Sequence, residues 1–472
     1  MARLTFLGAV EGVTGSQYLL ETARSRILLD CGLFQGRKEE EAGNEAPFEF
    51  DPQALDAVVL SHAHLDHSGR LPLLARGGFG GPVYMTRPTA DLIEVLLHDA
   101  ASLQERDVEW ANRRRRRAGK PELAPLYTNE DVDLALELCV GLPYHAATAI
   151  TEDVTLTFHD AGHILGSAIV QLVIHEDGRD KTLVFSGDLG NAQAALLRDP
   201  EYLQQADILL MESTYGDRNH KPMDETLQEF ENVIEEASAN GGNILIPSFA
   251  VGRTQELIYR LGELYQKGKL RHQAIYLDSP MAIAVTEIYH RYQYMYNHED
   301  RAEIEHHTRK LKPAQRNLHS FLPILRYSIT PEDSMALNKI DRGAIIIAGS
   351  GMCNGGRIRH HLKHNLWRRQ SHVLFVGYQA IGTPGRALVD GATHLHVAGE
   401  DVVVNARIHT LGGFSAHAGQ TQLLEWLNHF RTSRPELYLV HGEPEAKQAL
   451  KRAAEDDGWQ AHIPDKGTRL TF

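Results

Sequence analysis

The stretch Ser61-His-Ala-His-Leu-Asp-His-Ser68 directly follows the apolar run Ala57-Val-Val-Leu60. It places four metal-capable side chains close together at the end of a predicted strand, namely His62, His64, Asp66 and His67. Neutral imidazole and carboxylate are ligands that zinc accepts when no thiolate is available. The two histidines of the HxH spacing can reach one ion, and the adjacent Asp-His pair can turn to a second. A His-rich surface loop is the competing interpretation, and the order of the residues argues against it.

Three further candidate ligands each follow an apolar strand or open a glycine turn. His163 lies in Ala161-Gly-His163, Asp188 ends the run Leu183-Val-Phe-Ser-Gly-Asp188, and His441 ends Leu437-Tyr-Leu-Val-His441. A glycine beside a ligand lets the backbone bring the side chain close to an ion. Each of these residues alone is also explained as a hydrogen-bonded core residue, but in combination with the HxHxDH run they indicate a metal centre.

We assign these residues to two ions. The first ion takes His62, His64 and His163, the second takes Asp66, His67 and His441, and Asp188 bridges them. Two dications ~3.5–4 Å apart lower the pKa of a shared water and hold the oxygens of a phosphate. Zinc fits the His-rich set, and manganese is the competitor because carboxylates are present. Asp30, at the end of Ile27-Leu-Leu-Asp30, is expected to orient a ligand histidine or, alternatively, to cap the turn at Cys31-Gly32.

The composition is that of a globular protein without a membrane-spanning segment. The chain has 472 residues, of which 42% are hydrophobic and 23% charged, and its net charge is −14. No apolar run approaches the ~20 residues that cross a bilayer, and the first residues lack a signal-peptide core. The three cysteines are scattered without a CxxC pair, which favours the cytoplasm. The negative charge argues against nucleic-acid binding over the whole surface and leaves room for a local basic cleft.

The pattern of predicted strands and helices along the chain predicts one domain interrupted by another. Short strands and glycine turns dominate the first ~210 residues, whereas strands and longer helices alternate further on, which predicts a parallel, Rossmann-like sheet. We therefore expect a first part of one domain at residues 1–214, an inserted domain at 215–405 and the remainder of the first domain at 406–472.

With these motifs in place, the chain resembles the β-CASP branch of the metallo-β-lactamase superfamily, in particular its RNA-processing members. HxHxDH is the general motif of the superfamily, and three more motifs mark the branch. They match Glu212 in Met211-Glu-Ser-Thr-Tyr-Gly216, His417 in Phe414-Ser-Ala-His417, and His441 in Val440-His-Gly-Glu443. The resemblance implies an α/β fold, in which a metallo-β-lactamase αββα sandwich is interrupted by a Rossmann-like β-CASP domain that covers a cleft.

The resemblance also implies an activity and the residues that perform it. The chain is expected to be a zinc-dependent ribonuclease with two Zn²⁺ ions, or Mn²⁺ in their place. Its catalytic residues would be Asp66, Asp188, His417 as general acid and Glu212 as the residue that holds His417. A histidine at position 441 is typical of RNA-cleaving members, whereas DNA-repair relatives typically have valine there.

Several alternatives stay open at this point. One is a small-molecule thioester or lactone hydrolase, which has the HxHxDH core but lacks the inserted domain. Another is a DNA nuclease of the same branch, which His441 disfavours. A third is a non-catalytic RNA-binding subunit, which the intact ligand set disfavours. Cleavage is either endonucleolytic, 5′-to-3′ exonucleolytic or both. We expect RNA as the partner and no membrane, and the question of a homodimer is open.

Three glycine-rich turns of the inserted domain are candidates for binding RNA phosphates, because successive backbone N–H groups beside an arginine form an anion-binding nest. They and the Phe-Ser-Ala-His motif contribute the candidate substrate-binding residues Ser248, Arg253, Ser350, Gly351, Arg357, Arg386 and Ser415. A purely structural role for each turn is the alternative. The five arginines of residues 113–117 are either a solvated helix face or an RNA-backbone contact outside the cleft.

Overall fold

The computed structural model describes residues 1–36, 38–176 and 178–472. Its strands are β1 (Arg3–Gly8), β2 (Gln17–Glu21), β3 (Arg26–Leu29), β4 (Ala57–Val59), β5 (Val83–Thr86), β6 (Cys139–Leu142), β7 (Thr148–Ala149), β8 (Val154–Asp160), β9 (Ala168–Glu176), β10 (Arg179–Phe185), β11 (Ile208–Glu212), β12 (Ile244–Pro247), β13 (Ala274–Leu277), β14 (Leu325–Tyr327), β15 (Ala344–Ala348), β16 (His372–Phe375), β17 (His394–Val397), β18 (Glu400–Val403), β19 (Arg407–Thr410), β20 (Glu436–Val440), β21 (Ala461–His462) and β22 (Arg469–Thr471).

The α-helices follow the same order along the chain. They are α1 (Lys38–Glu41), α2 (Leu65–Ser68), α3 (Leu71–Arg76), α4 (Arg87–Arg117), α5 (Asn129–Leu136), α6 (Met223–Asn240), α7 (Arg253–Gln266), α8 (Pro280–Arg291), α9 (His298–Thr308), α10 (Leu318–Phe321), α11 (Pro331–Leu337), α12 (Ile358–Asn365), α13 (Pro384–Val389), α14 (Gln420–Asn428) and α15 (Pro444–Asp456). Among the residues that the structure describes, no helix has both the length and the apolar character needed to cross a membrane.

The chain divides into two compact units, one inserted into the other. Unit 1 comprises residues 1–192, 199–219 and 417–472, and unit 2 comprises residues 193–198 and 220–416. The sequence-based bounds of 1–214, 215–405 and 406–472 stay a prediction of domain limits. Unit 2 continues past residue 405 because β19 pairs in parallel with β16 and completes the sheet of that unit.

Unit 1 is a sandwich of two seven-stranded sheets. Their strand orders are β22-β1-β2-β3-β4-β5-β6 and β21-β20-β11-β10-β9-β8-β7. Large apolar side chains of both sheets fill the space between them, among them Phe6, Tyr18, Phe158 and Phe185, which are all buried. Burial of apolar surface on this scale is the main favourable term in folding.

Helices cover both outer faces of this sandwich. Helix α4 packs on β5 and β6 of the first sheet. Thr86 caps its amino end, where the Thr86 side chain accepts a hydrogen bond from the Thr89 backbone N–H. Helices α14 and α15 cover the second sheet through Trp426, Leu427 and Leu450. The predicted αββα sandwich is therefore confirmed.

Unit 2 is built on a parallel sheet of strand order β14-β13-β15-β12-β16-β19. The strands Ile244–Pro247 and Ala344–Ala348 are buried along their whole length, as expected for parallel strands that are covered on both faces. Helix α6 ends at Gly241, whose φ of +67° is a left-handed conformation that glycine adopts without strain. The inserted Rossmann-like sheet is thus also confirmed.

Candidate metal centre and active site

The predicted ligands of unit 1 lie on loops that leave the ends of its strands. The HxHxDH run follows β4 and forms helix α2, with His64 at the position before its first turn. His163 follows β8, Asp188 follows β10 and His441 follows β20. Strands β10, β11 and β20 run in parallel, so their carboxyl ends bring Asp188, Glu212 and His441 to one edge of the second sheet.

Three histidines converge on one side of Asp188. The His64 Nδ1 atom lies 3.1 Å from His62 Nε2 and 3.2 Å from His163 Nε2. The Asp188 Oδ2 atom lies 3.5 Å from His62 Nε2 and 3.6 Å from His163 Nε2. These four side chains are the set assigned from the sequence to the first ion together with its bridge.

A second group converges on the other carboxylate oxygen of Asp188. The Nε2 atoms of His67 and His441 lie 3.1 Å apart. Asp188 Oδ1 lies 3.4 Å from His67 Nε2, and Asp66 Oδ2 lies 3.6 Å from His441 Nε2. The structure therefore brings all seven predicted ligands together in two groups that share Asp188.

The donor set fits a pair of divalent cations. The Asp188 side chain is 2% exposed, and its Oδ1 atom is buried without a hydrogen-bond partner within the described part of the chain. A buried carboxylate oxygen is costly unless hydrogen bonds or a cation satisfy it. An ion between the two groups would satisfy this oxygen, and five imidazoles with two carboxylates match the ligand preference of zinc.

Burial and neighbouring charges shift the pKa values of the candidate metal ligands. Burial lowers the pKa of His62 well below its ordinary value, so this ring stays in the neutral form that binds metals. Burial would also lower the pKa of His67, but Asp188, Asp30 and Asp66 raise it above the ordinary range. Burial would raise the pKa of Asp188, yet the neighbouring histidines, His441 first, hold it well below the ordinary range. A metal ion at His67 would therefore compete with a proton for the imidazole.

Asp30 lies behind this group and orients it. Its Oδ2 atom accepts a 2.7 Å hydrogen bond from His67 Nδ1, which turns His67 Nε2 towards Asp188. Its Oδ1 atom accepts from the backbone N–H of Ser61 at 2.8 Å, and Ser16 Oγ donates to Oδ2 at 2.9 Å. These contacts agree with the orienting role expected of Asp30.

The ligand loop can approach the first sheet because a glycine stands opposite to it. A Cβ atom at Gly32 would lie 1.6 Å from the Asp66 carbonyl oxygen, so no larger residue fits without moving the loop. The Ser16 backbone N–H donates to the same carbonyl oxygen, and the Cys31 N–H donates to the His67 carbonyl. The backbone of the HxHxDH run is thereby fixed to the residue before β2 and to the loop after β3.

Glu212 and His417 form a pair at the edge of the metal group. The His417 Nδ1 atom lies 3.2 Å from Glu212 Oε2, and its Nε2 atom lies 3.9 Å from Asp188 Oδ2. Glu212 is fully buried, and its Oε1 atom accepts a 2.6 Å hydrogen bond from the Leu189 backbone N–H. Burial would lower the pKa of His417, but Glu212 and then Asp188 outweigh it and raise that pKa to about 9. The arrangement can hold a proton on an imidazole that faces the metal group.

Two side chains that the sequence analysis did not single out also contact this site. Thr214 Oγ1 lies 3.2 Å from His441 Nδ1, and Ser61 Oγ donates to Asp30 Oδ2 at 3.0 Å. Thr214 belongs to the motif Glu-Ser-Thr-Tyr-Gly and Ser61 to the motif Ser-His-Ala-His. Their hydroxyl groups beside the candidate ligands were the feature of the sequence that could have identified them.

The candidate phosphate-binding residues all lie in unit 2. The turns that follow β12 and β15 meet at the carboxyl edge of the parallel sheet, where Phe249 packs against Gly351. Ser350 Oγ lies in its own turn and accepts a 3.2 Å hydrogen bond from the Gly355 N–H. Ser248 Oγ accepts from Thr254 Oγ1 at 2.9 Å, and the Ser415 N–H donates to the Gly413 carbonyl.

The three arginines of these turns are paired with carboxylates. Arg357 Nη1 donates to Asp278 Oδ1 at 2.7 Å and to the Ser328 carbonyl at 3.0 Å. Arg386 Nε donates to both oxygens of Asp390 at 2.9 Å, and Arg253 forms an ion pair with Glu256. Arg357 therefore points towards Asp278, and phosphate binding by this side chain stays a prediction.

The arginine run at residues 113–117 lies at the carboxyl end of α4. Arg113 pairs with Glu109 at 2.6 Å, Arg116 pairs with Glu122 at 3.1 Å, and Arg114 stacks 3.6 Å above the Trp110 ring. These contacts are those of a solvated helix face balanced by acidic neighbours.

Three family models match successive parts of the chain. The model described as Metallo-beta-lactamase superfamily matches residues 10–224, and the Beta-Casp domain matches residues 254–388. The model described as Zn-dependent metallo-hydrolase RNA specificity domain matches residues 401–464. Their order is that of the motifs along the sequence.

Named proteins are similar to nearly the whole chain. Ribonuclease TTHA0252 of Thermus thermophilus is 42% identical over 449 residues, which are 95% of this chain and 95% of that protein. Transcription termination factor FttA of Methanocaldococcus jannaschii is 33% identical over 452 residues, covering 93% of this chain and 67% of that protein. A solved protein of unknown function from Enterococcus faecalis V583 covers 99% of both chains with a TM-score of 0.54 and 14% identity, a likeness of fold alone.

Proposed function

This chain belongs to the β-CASP branch of the metallo-β-lactamase superfamily and is a hydrolase of the nuclease type, and we propose that it is a zinc-dependent ribonuclease. RNA as the substrate is supported by the name of the Thermus thermophilus relative and by the description of the family model over residues 401–464. His441 also favours RNA over DNA, since it stands where DNA-repair members of the branch typically have valine.

The observation on which this proposal rests most is the double contact of Asp188. One of its oxygens faces His62 and His163, and the other faces His67, with all distances between 3.4 and 3.6 Å. His62, His64 and His163 would hold one zinc ion, Asp66, His67 and His441 a second, with Asp188 between them. When bound, the two ions would activate the attacking water and neutralise charge on the phosphate.

His417 would act as the general acid for the departing ribose oxygen. Its Nδ1 atom faces the buried Glu212 carboxylate, so the proton available to the substrate would be on Nε2, on the side of Asp188. The carboxylate stabilises the charged imidazole, which keeps that proton in place at neutral pH. A ribose alkoxide is a poor leaving group, so proton donation at this position would accelerate bond cleavage.

Unit 2 would bind the RNA backbone through its glycine-rich turns, with Ser248, Ser350 and Gly351 as candidate contacts. We place the enzyme in the cytoplasm, which is supported by the free cysteines Cys31, Cys139 and Cys353. Light scattering of the purified protein at several concentrations would distinguish a monomer from a homodimer.

The proposal is tested by offering purified protein three labelled substrates, with and without a chelator. We expect cleavage of RNA, much weaker cleavage of matched single-stranded DNA, no thioester hydrolysis, and loss of activity that added Zn²⁺ restores. Preferential DNA cleavage or thioester hydrolysis would identify one of the competing activities instead. Mapping the products on a long 5′-labelled RNA distinguishes internal cleavage from 5′-to-3′ degradation.

A further inference from the structure

A second group of metal-capable side chains lies in unit 1, outside the seven-residue group. His145, His159 and Glu201 each offer one ligand atom, and these atoms all lie within 4.8 Å of one another. His145 Nε2 is 3.3 Å from Glu201 Oε1, and His159 Nδ1 is 3.4 Å from Glu201 Oε2. The two rings approach the carboxylate from different segments, with centroids 5.6 Å apart and planes inclined by 68°.

Each histidine nitrogen faces a different oxygen of Glu201, so an ion between the two rings would be held by the carboxylate as a whole. Two ligand atoms that are each ~2.0–2.1 Å from a tetrahedral zinc ion lie roughly 3.3–3.4 Å apart. Three hydrogen-bonded histidine–carboxylate pairs of the described residues are shorter, at 2.7 Å for His67–Asp30, His175–Asp180 and His396–Asp401. The surface pairs His307–Glu303 and His98–Asp133 are 3.2 and 3.4 Å long, so the case for a site at Glu201 rests on the convergence of two histidines on one carboxylate. The pairs that share Asp188 in the proposed metal centre are 3.4 to 3.6 Å long, close to those of Glu201.

The backbone holds the three residues in this arrangement. His145 has a φ of +63°, and its backbone N–H donates to the Phe158 carbonyl at 2.9 Å. This left-handed conformation is uncommon for residues other than glycine, and the hydrogen bond to β8 holds it in place. The Glu201 N–H donates to the Asp160 carbonyl at 2.9 Å, so both flanking segments are attached to β8 on either side of His159.

The exposure of the group leaves one side open to solvent. The side chains of His145, His159 and Glu201 are 59%, 19% and 34% exposed. An ion can enter from solvent, and a water molecule can occupy a fourth position. Burial would raise the pKa of the Glu201 carboxyl, but His159 and His145 lower it below the ordinary value, so the carboxylate is charged at neutral pH.

Another group of three potential ligands lies in unit 2, but its carboxylate is paired with an arginine and its two histidines are hydrogen-bonded to each other. Its members are Glu236, His372 and His409. Glu236 forms an ion pair with Arg407, and His372 Nδ1 lies 2.9 Å from His409 Nε2, a hydrogen-bond distance. That carboxylate is already neutralised by an arginine, so the group in unit 1 is the better cation site.

We propose that His145, His159 and Glu201 form a third zinc site, with two imidazole nitrogens, the Glu201 carboxylate and water as ligands. Imidazole selects zinc and related transition-metal ions over Mg²⁺ and Ca²⁺, which prefer sites made of oxygen. The site is separate from the nuclease centre and would exist whether or not the chain cleaves RNA. An ion here would link the loop of His145, strand β8 and the segment of Glu201, so its binding stabilises unit 1.

The test measures zinc uptake by the full chain. The protein is dialysed against zinc-free buffer, so that only tightly held ions remain, and is then titrated with Zn²⁺ by calorimetry and equilibrium dialysis. We expect the wild type to take up one further ion per chain and to unfold at a higher temperature. His145→Ala and His159→Ala should each weaken this uptake at least about tenfold, and the double variant should abolish it.

Two further variants make the result decisive. Glu201→Gln keeps the size of the side chain and removes its charge, so it should also weaken uptake without impairing folding. His175→Ala removes a surface histidine that is hydrogen-bonded to Asp180 in the same unit, and it should leave uptake unchanged. The proposal is overturned if the wild type binds no further ion, if the double variant binds it as tightly as the wild type, or if His175→Ala weakens binding equally.

Discussion

At the scale of single residues, the account depends on side chains that combine burial with a defined charge. Glu212 is buried and contacts His417, and His417 in turn faces Asp188. A buried carboxylate that is held by a backbone N–H and an imidazole has little freedom to move. In the proposed mechanism, the pair would therefore offer a proton donor whose position is fixed before any substrate arrives.

The general-acid role predicts a specific defect in His417→Ala. Proton donation is typically worth ~10²–10⁴-fold, so the variant should lose roughly that factor in rate while it keeps its tightly bound zinc and its RNA affinity. A 3′-bridging phosphorothiolate substrate has a leaving group that needs no proton, so it should restore much of the rate. Glu212→Gln keeps a hydrogen-bonding side chain and should lose less. Without rescue by the phosphorothiolate at normal zinc content, His417 would be a phosphate-positioning residue.

At the scale of the elements, Arg357 shows how tertiary contacts change the meaning of a motif. The sequence favours a phosphate-binding arginine beside a glycine-rich turn, but the guanidinium reaches the buried Asp278 at the end of β13. Asp278 also accepts hydrogen bonds from His361, Ser334 and Ser328. Burial would raise the pKa of Asp278, but these hydrogen bonds and the one from Arg357 lower it to about 2. Arg357 thus completes a charged network inside unit 2.

This network predicts that the main effect of Arg357→Ala is a loss of stability of unit 2, and that any weaker RNA binding follows from that loss. Removing one partner of a buried carboxylate costs about 1–3 kcal/mol, so the thermal unfolding temperature should fall. Arg386→Ala is the matched control, because Arg386 pairs with Asp390 at the surface and contributes little to stability. Weaker RNA binding by Arg357→Ala at an unchanged unfolding temperature would instead identify Arg357 as a substrate contact.

Two buried histidines of unit 2 predict that its stability depends on pH. Burial first, and then the neighbouring histidine, lower the pKa of His272 and of His372 to about 4. In the unfolded chain a histidine titrates near its ordinary pKa of ~6.5, so between these values the unfolded state binds more protons. The stability of unit 2 should therefore fall as pH falls from 7.5 to 5.5, by about 1 kcal/mol per histidine.

Hydrogen exchange of peptides from unit 2 at the two pH values measures this effect without interference from metal loss in unit 1. His372→Gln should reduce the dependence, whereas His175→Gln, on the surface of unit 1, should not. Equal protection of unit 2 at both pH values would show that His272 and His372 titrate normally, against the burial described above.

The sequence predicts the elements, and the convergence of the candidate ligands, where the information is local. The strands, the inserted parallel sheet and the grouping of the ligands follow from short motifs such as HxHxDH and from the order in which the motifs occur. Contacts between distant positions have no such pattern. Arg357 and Asp278 are 79 positions apart, and His145 and Glu201 meet only because β8 lies between their segments. No spacing rule predicts either contact.

At the scale of the whole molecule, the two units have separate cores. The seven predicted ligands and the pair of Glu212 and His417 lie in unit 1, whereas the candidate phosphate-binding turns lie in unit 2. Substitutions of the ligands in unit 1 should therefore change metal content, and substitutions in the turns of unit 2 should change RNA affinity. Because the net charge is −14, the proposed RNA binding would require a locally basic surface, and affinity should fall as salt rises.

The most direct test of the two-ion centre is Asp188→Ala, since the two carboxylate oxygens of Asp188 face the two ligand groups. Zinc per chain and RNA cleavage are measured on the same preparation after dialysis against zinc-free buffer, with Asp180→Ala, a surface carboxylate of the same unit, as the control. Loss of the shared ligand should lower zinc content below two ions per chain and abolish cleavage, while the control keeps both. Two zinc ions per chain and unchanged cleavage in Asp188→Ala would contradict the account.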